Sequence, residues 1–206
     1  MQTEIFSEQQ KELLPCIARF RRSFYLVGGT AIALHLGHRR SIDFDLFTPV
    51  SLRKSEIKKK LWQLPYKQEL IFEDTDQLHL YVNAVKVTFF SYPYPVEHPV
   101  KLDKVISMPT LLSLAAMKAF ALGRRAKWKD YVDLYFLLKN HFSIGEIAME
   151  AEKLFQTQFS EKLFREQLAF HKDINYTEEV AFMEGYQVNK EDIKAFLIEK
   201  SLDWYL

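Results

Sequence analysis

Apolar and polar positions alternate along this chain in two distinct rhythms, and the change between them divides it. In the first hundred residues short runs of period two dominate. Gln68–Glu73, Gln77–Val82 and Val85–Ser91 read as strands, with Asn83-Ala84 as a tight hairpin turn between the last two. Tyr25-Leu26-Val27 is a buried strand halted by Gly28-Gly29. Ile42-Asp43-Phe44-Asp45-Leu46-Phe47 is another, which sends Asp43 and Asp45 to one face and Ile42, Phe44 and Leu46 to the other. Helical spacing marks residues 8–22, with Leu13, Leu14, Ile17, Ala18 and Phe20 on the buried side and Pro15 as a break, and also residues 51–64.

Three prolines between positions 93 and 99 interrupt this pattern, and Lys104-Val105-Ile106 adds a last short strand. Beyond it the rhythm is helical throughout: 109–122, 127–140, 143–157, 160–171 and 189–204. Pro109 fits the first turn of its helix, Gly123 ends it, and Ser143 with Glu146 makes a capping box. The expected fold is therefore α+β: a small α/β domain over 1–100 with a mixed or antiparallel sheet of four or five strands, followed by an all-α lobe over 101–206.

Composition adds limits. Hydrophobic residues make up 48%, aromatic 15% and charged 27%, an ordinary globular balance. A net charge of +1 gives no global attraction for nucleic acid, so any such surface is local. Cys16 is the only cysteine, which rules out an internal disulfide and fits a reducing cytoplasm. The N-terminus lacks the basic and apolar regions of a signal peptide, and no apolar run nears the ~20 residues of a membrane helix. A cytoplasmic protein is expected.

The chemistry concentrates in two blocks. In the first, a strand enters the Gly28-Gly29-Thr30 turn and a short apolar helix follows, with Thr30 suited to its N-cap. A helix N-terminus approached by glycine backbone favours phosphate. Twelve residues separate Thr30 from Asp43, and Arg39-Arg40 lies between. Two carboxylates side by side repel unless a cation intervenes, and an all-oxygen site suits magnesium. In the second block Lys118 interrupts an apolar helix, Arg124, Arg125, Lys127 and Lys129 cluster, and Asp130 and Asp133 share a helix face. Lys127, Lys129 and Asp130 also suit ordinary ion pairing, whereas Lys118 and Asp133 each cost stability unless paired or used. Phe90, Tyr92 and Tyr94 read as core rather than as a base-stacking surface.

GGTAIALHLGHRRSIDFDLF, followed by AAMKAFALGRRAKWKDYVDLYFLLK, resembles the AbiEii/AbiGii-type nucleotidyltransferase toxins, minimal enzymes of the DNA polymerase β superfamily. The resemblance covers Phe24–Lys139. It implies a Gly-Gly-x and Asp-x-Asp motif on Gly28, Gly29, Asp43 and Asp45, a lysine motif on Lys118, and an Asp-x-x-Asp motif on Asp130 and Asp133. It implies a triphosphate held by Gly28, Gly29 and Thr30, magnesium on Asp43 and Asp45, and Lys118, with Arg39 or Arg40, neutralising charge at the α-phosphate. Partners implied are a nucleoside triphosphate, a transfer RNA or other RNA acceptor, and a cognate antitoxin. One position departs from the superfamily pattern: Thr88 stands on the neighbouring strand where a third carboxylate is usual, and a hydroxyl is no base near neutrality. The resemblance then gives Asp130 or Asp133 the missing acid's role. Two alternatives stay open, a non-catalytic nucleotide- or partner-binding module and a small-molecule nucleotidyltransferase of the aminoglycoside type.

Overall fold

A computed structural model describes residues 1–203. It is mixed α+β and divides into two compact units, Met1–Thr110 and Leu111–Leu206. The first opens with α1 (Glu8–Ile17), capped by Ser7 and Gln10 in a reciprocal box. Pro15 lies inside α1, and the chain tightens into a 3-10 turn over Ala18–Phe20, so the expected helix over 8–22 is shorter and split. Proline has no N–H to donate and crowds the preceding turn, which weakens continuation beyond it.

β1 (Tyr25–Val27) is buried at every position and runs directly into α2 (Gly28–Leu36). β2 (Asp43–Thr48) follows, then α3 (Lys54–Trp62), then β3 (Gln68–Glu73), β4 (Gln77–Val82) and β5 (Val85–Ser91). The five strands form one sheet in the order β1-β2-β5-β4-β3. β2 and β5 pair in parallel and every other pair is antiparallel. Between β4 and β5 both turn residues, Asn83 and Ala84, take positive φ (52° and 62°), the geometry that matches a two-residue loop to strand twist.

One face of the sheet is the core. Phe44 and Leu46 on β2, Val87 and Phe89 on β5, and Leu78 and Leu80 on β4 are all buried there. Phe20 and Phe24 meet Phe89 edge-on at 4.8 and 5.2 Å between ring centres. Period two sends the alternate residues to the other face: Asp43, Asp45 and Phe47, then Lys86, Thr88 and Phe90, then His79. Ile42 departs from its expected place beside Phe44. It precedes β2 and is 59% exposed, because the paired strand begins only at Asp43.

Two short strands, β6 (Val100–Leu102) and β7 (Ile106–Met108), make a separate antiparallel hairpin within the first unit. The expected strand at Lys104–Ile106 is therefore displaced. Lys104 and Val105 sit in the turn, where Asp103 has φ 45°.

The second unit is helical: α4 (Leu111–Leu122), α5 (Trp128–Asn140), α6 (Ile144–Phe155), α7 (Glu161–Ala169) and α8 (Lys190–Leu202). Pro109 lies two residues ahead of α4 rather than in its first turn. The Ser143–Glu146 capping box forms as the spacing predicts. Position 204, in the expected helix over 189–204, lies outside the described residues. Phe120 on α4 stacks on Phe155 of α6 at 3.9 Å and 8°. No helix among the described residues is long and apolar enough to cross a membrane.

Candidate functional site

Asp43 and Asp45 occupy β2 positions whose side chains are half-buried between fully buried Phe44 and Leu46. The strand thus holds both carboxylates by packing the residues between them. β1 pairs Val27 with Asp45, so the chain leaves β1 directly opposite that carboxylate. The next residue, Gly28, has φ +72°, and a Cβ there would collide with Asp45 Oδ2. Glycine is required here twice, by the left-handed backbone and by the close approach.

Gly29 sits against the Arg39 guanidinium, where a Cβ would come within 2.5 Å of Nη2 and 3.3 Å of Ser41 Oγ. Arg39 is only 2% exposed, and its Nη1 donates to the Arg40 carbonyl at 3.0 Å. The basic pair is therefore divided: Arg39 is buried behind the turn and Arg40 is exposed. Thr30 is not an N-cap. α2 begins at Gly28 after Val27, which makes no side-chain cap, and Thr30 is its third residue. Its buried hydroxyl donates to the Asp43 carbonyl and lies 2.9 Å from Ser41 Oγ. Thr30 thereby ties the start of α2 to the start of β2. Neither this role nor Ser41 was readable from the sequence, since both depend on how the 31–42 segment folds back.

Across β5, the register sets Lys86 opposite Asp43 and Thr88 opposite Asp45. Thr88 is 7% exposed and stands on the carboxylate face of the strand beside β2. Among the described residues no three His, Cys, Asp or Glu side chains gather in a metal-holding group. The oxygen pair on β2 nonetheless suits magnesium, which accepts one or two protein carboxylates and completes its shell from phosphates and water.

Farther along the same face, Phe47 packs on Phe90 and Tyr92 at 5.0 and 4.9 Å, and Tyr92 on Tyr94 at 4.8 Å. These rings serve one another as packing partners.

In the second unit, α4 and α5 bring Lys118, Asp130 and Asp133 together. Lys118 Nζ lies 2.8 Å from Asp130 Oδ1 and 3.0 Å from Asp133 Oδ2. The three are 6%, 2% and 0% exposed. Arg125 Nε adds a bond to Asp130 Oδ2 at 3.1 Å. Two cations and two carboxylates balance in charge, which is what lets them persist in a buried place. The basic cluster after Gly123 is largely occupied. Lys127 and Lys129 both bind Glu178, at 2.6 and 2.9 Å, and Arg124 lies over the Phe120 ring at 3.7 Å. Burial would raise the Glu178 carboxyl, but the hydrogen bonds from Lys127 and Lys129 outweigh it and hold the group at about 2.

With this geometry in view, the comparisons with known proteins are specific. The sequence model of the nucleotidyl transferase AbiEii toxin family, from type IV toxin–antitoxin systems, matches residues 13–206. An uncharacterised protein of Aquifex aeolicus is 32% identical over 165 residues, 74% of this chain and 75% of that one. Among solved structures, the nucleotidyltransferase toxin MenT4 of Mycobacterium tuberculosis superposes with a TM-score of 0.63 at 14% identity, covering 94% of this chain and 80% of its own. JHP933 of Helicobacter pylori gives a TM-score of 0.55 at 16% identity, covering 95% and 91%. At such identities these two likenesses concern the fold.

Proposed function

This chain belongs to the AbiEii nucleotidyl transferase toxin family of type IV toxin–antitoxin systems, and from that premise we propose that it transfers a nucleoside monophosphate from a nucleoside triphosphate to an acceptor, releasing pyrophosphate. The observation that carries the reading is the placement of Asp43 and Asp45 on one face of β2, with Gly28 pressed against Asp45 where α2 begins. A phosphate-accepting backbone turn and a carboxylate pair are the two parts that phosphoryl transfer needs side by side.

In this reading the N–H groups at the start of α2, from Gly28, Gly29 and Thr30, hold the triphosphate. Arg39 lies behind Gly29 and adds positive charge to the turn from its buried side, while exposed Arg40 reaches outward to phosphate. Asp43 and Asp45 would hold magnesium, which would supply positive charge to offset that of the phosphates. Thr30, through the Asp43 carbonyl and Ser41, keeps turn and strand in register. Lys118 supplies a further cation on which transfer depends, and Asp130 and Asp133 fix its ammonium. The acceptor is an RNA end, with transfer RNA the first candidate, and a cognate antitoxin is the protein partner.

The test is to incubate the purified chain and magnesium with each labelled nucleoside triphosphate, in parallel with total transfer RNA, other RNA and cationic small molecules. Label joined to RNA with stoichiometric pyrophosphate supports the reading. Label joined only to a small molecule redirects the acceptor. Nucleotide binding by calorimetry without transfer to any acceptor class would establish a binding module instead.

A further inference from the structure

The sheet face that carries Asp43 and Asp45 continues across Thr88 to His79 on β4. The register runs Asp45 to Thr88 on β5 and Thr88 to His79 on β4, so the three side chains stand in one row on one face. Two strand spacings put His79 about 10 Å from Asp45 between Cα atoms. The short, buried Thr88 side chain therefore has the carboxylate on one side and the imidazole on the other. Resting on the nucleotidyl-transfer reading above, we infer that His79 is the general base for the acceptor hydroxyl, filling on β4 the role that Thr88 cannot fill on β5.

The alternative bases are committed elsewhere. Asp130 and Asp133 spend oxygens on Lys118 and Arg125 in a buried ion cluster. Glu73, the next acid on β3, belongs to Lys54 and Lys58. His79 is half-buried, and its Nε2 lies 2.9 Å from Gln77 Oε1. An amide oxygen only accepts, so Nε2 carries the proton and Nδ1 keeps its lone pair. The groups facing it are Thr88 and Lys86 of β5, Phe72 of β3 edge-on at 5.6 Å, Gln77 and Tyr81 of its own strand, and Asp74 of the β3–β4 turn. Burial, then the Lys86 cation, push the imidazole below the ordinary histidine value, against a smaller opposing pull from Asp74. The ring is therefore neutral near pH 7 and ready to accept a proton.

The step balances. The acceptor O–H bond breaks and its proton passes to His79 Nδ1. The oxygen's electron pair forms the bond to the α-phosphorus, and the bond from that phosphorus to its β-bridging oxygen breaks, its pair leaving with pyrophosphate.

The test is single-turnover transfer by the full chain across pH, for wild type and His79→Gln, with nucleotide affinity measured beside it. The expected result is a rate lower by about 100-fold or more for His79→Gln, the range one general base contributes. Nucleotide affinity is unchanged, and the acidic limb of the wild-type pH profile is missing. A His79→Gln chain that keeps the wild-type rate, or keeps the acidic limb, overturns the inference while leaving nucleotidyl transfer intact. A wild-type chain that transfers nothing overturns both.

Discussion

Replacing Gly28 with alanine tests the turn at its tightest point. Gly28 has φ +72°, and an added Cβ would run into Asp45 Oδ2 and sit 3.0 Å from its Cγ. The left-handed backbone costs an L-residue about 1–2 kcal/mol. For a chain of this size that lowers the melting midpoint by about 2–8 °C. The collision adds a second and different effect, since the carboxylate must rotate away from the place its strand gives it. Losing one preorganised charged group typically costs about 10²–10³-fold in rate. Gly28→Ala is therefore expected to fold, melt slightly early and transfer nucleotide at least about 100-fold more slowly. Gly29→Ala is the comparison: its φ is not positive, and its Cβ would press on buried Arg39 Nη2, so it disturbs the Arg39 charge without straining the backbone. Calorimetric melting and single-turnover transfer measure both effects. A Gly28→Ala chain with wild-type transfer would refute the claim that Gly28 exists to admit Asp45.

Lys118→Met removes the cation that buried Asp130 and Asp133 share, and breaking such a pair costs about 3–5 kcal/mol. The triple change Lys118→Met, Asp130→Asn, Asp133→Asn should recover most of that in denaturant titrations, and equal instability of the two would refute the charge argument. Ala84→Gly relieves a positive φ of 62° at the β4–β5 turn and should stabilise the chain by about 0.5–1 kcal/mol; a destabilised variant would contradict it. Glu178 is held at about 2 against an ordinary 4.5, so its contribution to stability is complete above pH 4.5 and is lost as pH falls through 2. Wild type should therefore exceed Glu178→Gln in melting temperature at neutral pH, with the gap closing between pH 4.5 and 2; a constant gap would be the contrary result.

Local pattern carried the elements well. The three strands over 68–91 form with their expected bounds because period-two alternation and the Asn83-Ala84 turn agree. The fold class follows from the same local signals. What pattern could not carry was anything set by folding back. Ile42 alternates with Phe44 in the sequence, yet pairing begins one residue later and leaves it exposed. Thr30 has the chemistry of an N-cap, but Gly28 starts the helix and Thr30 turns to Asp43 and Ser41. Arg39 and Arg40 are adjacent and chemically alike, and only tertiary packing buries one and exposes the other. The contrast at Thr88 came from the family resemblance, whereas the shared face of Asp43 and Asp45 was legible because it depends on strand alternation alone. His79 was not, because its place beside Thr88 is a matter of register between β4 and β5.

The proposed service of the β2 carboxylate pair in nucleotidyl transfer is tested most directly by pyrophosphate release and acceptor labelling for wild type and Asp43→Asn, side by side, with magnesium and the nucleotide–acceptor pair that wild type uses. Asn keeps the shape of the side chain and removes its charge, so the fold is preserved and melting should match. The expected result is transfer reduced at least about 10³-fold, the upper range for removing one preorganised electrostatic group from such a site. Equal transfer by Asp43→Asn and wild type would contradict the account.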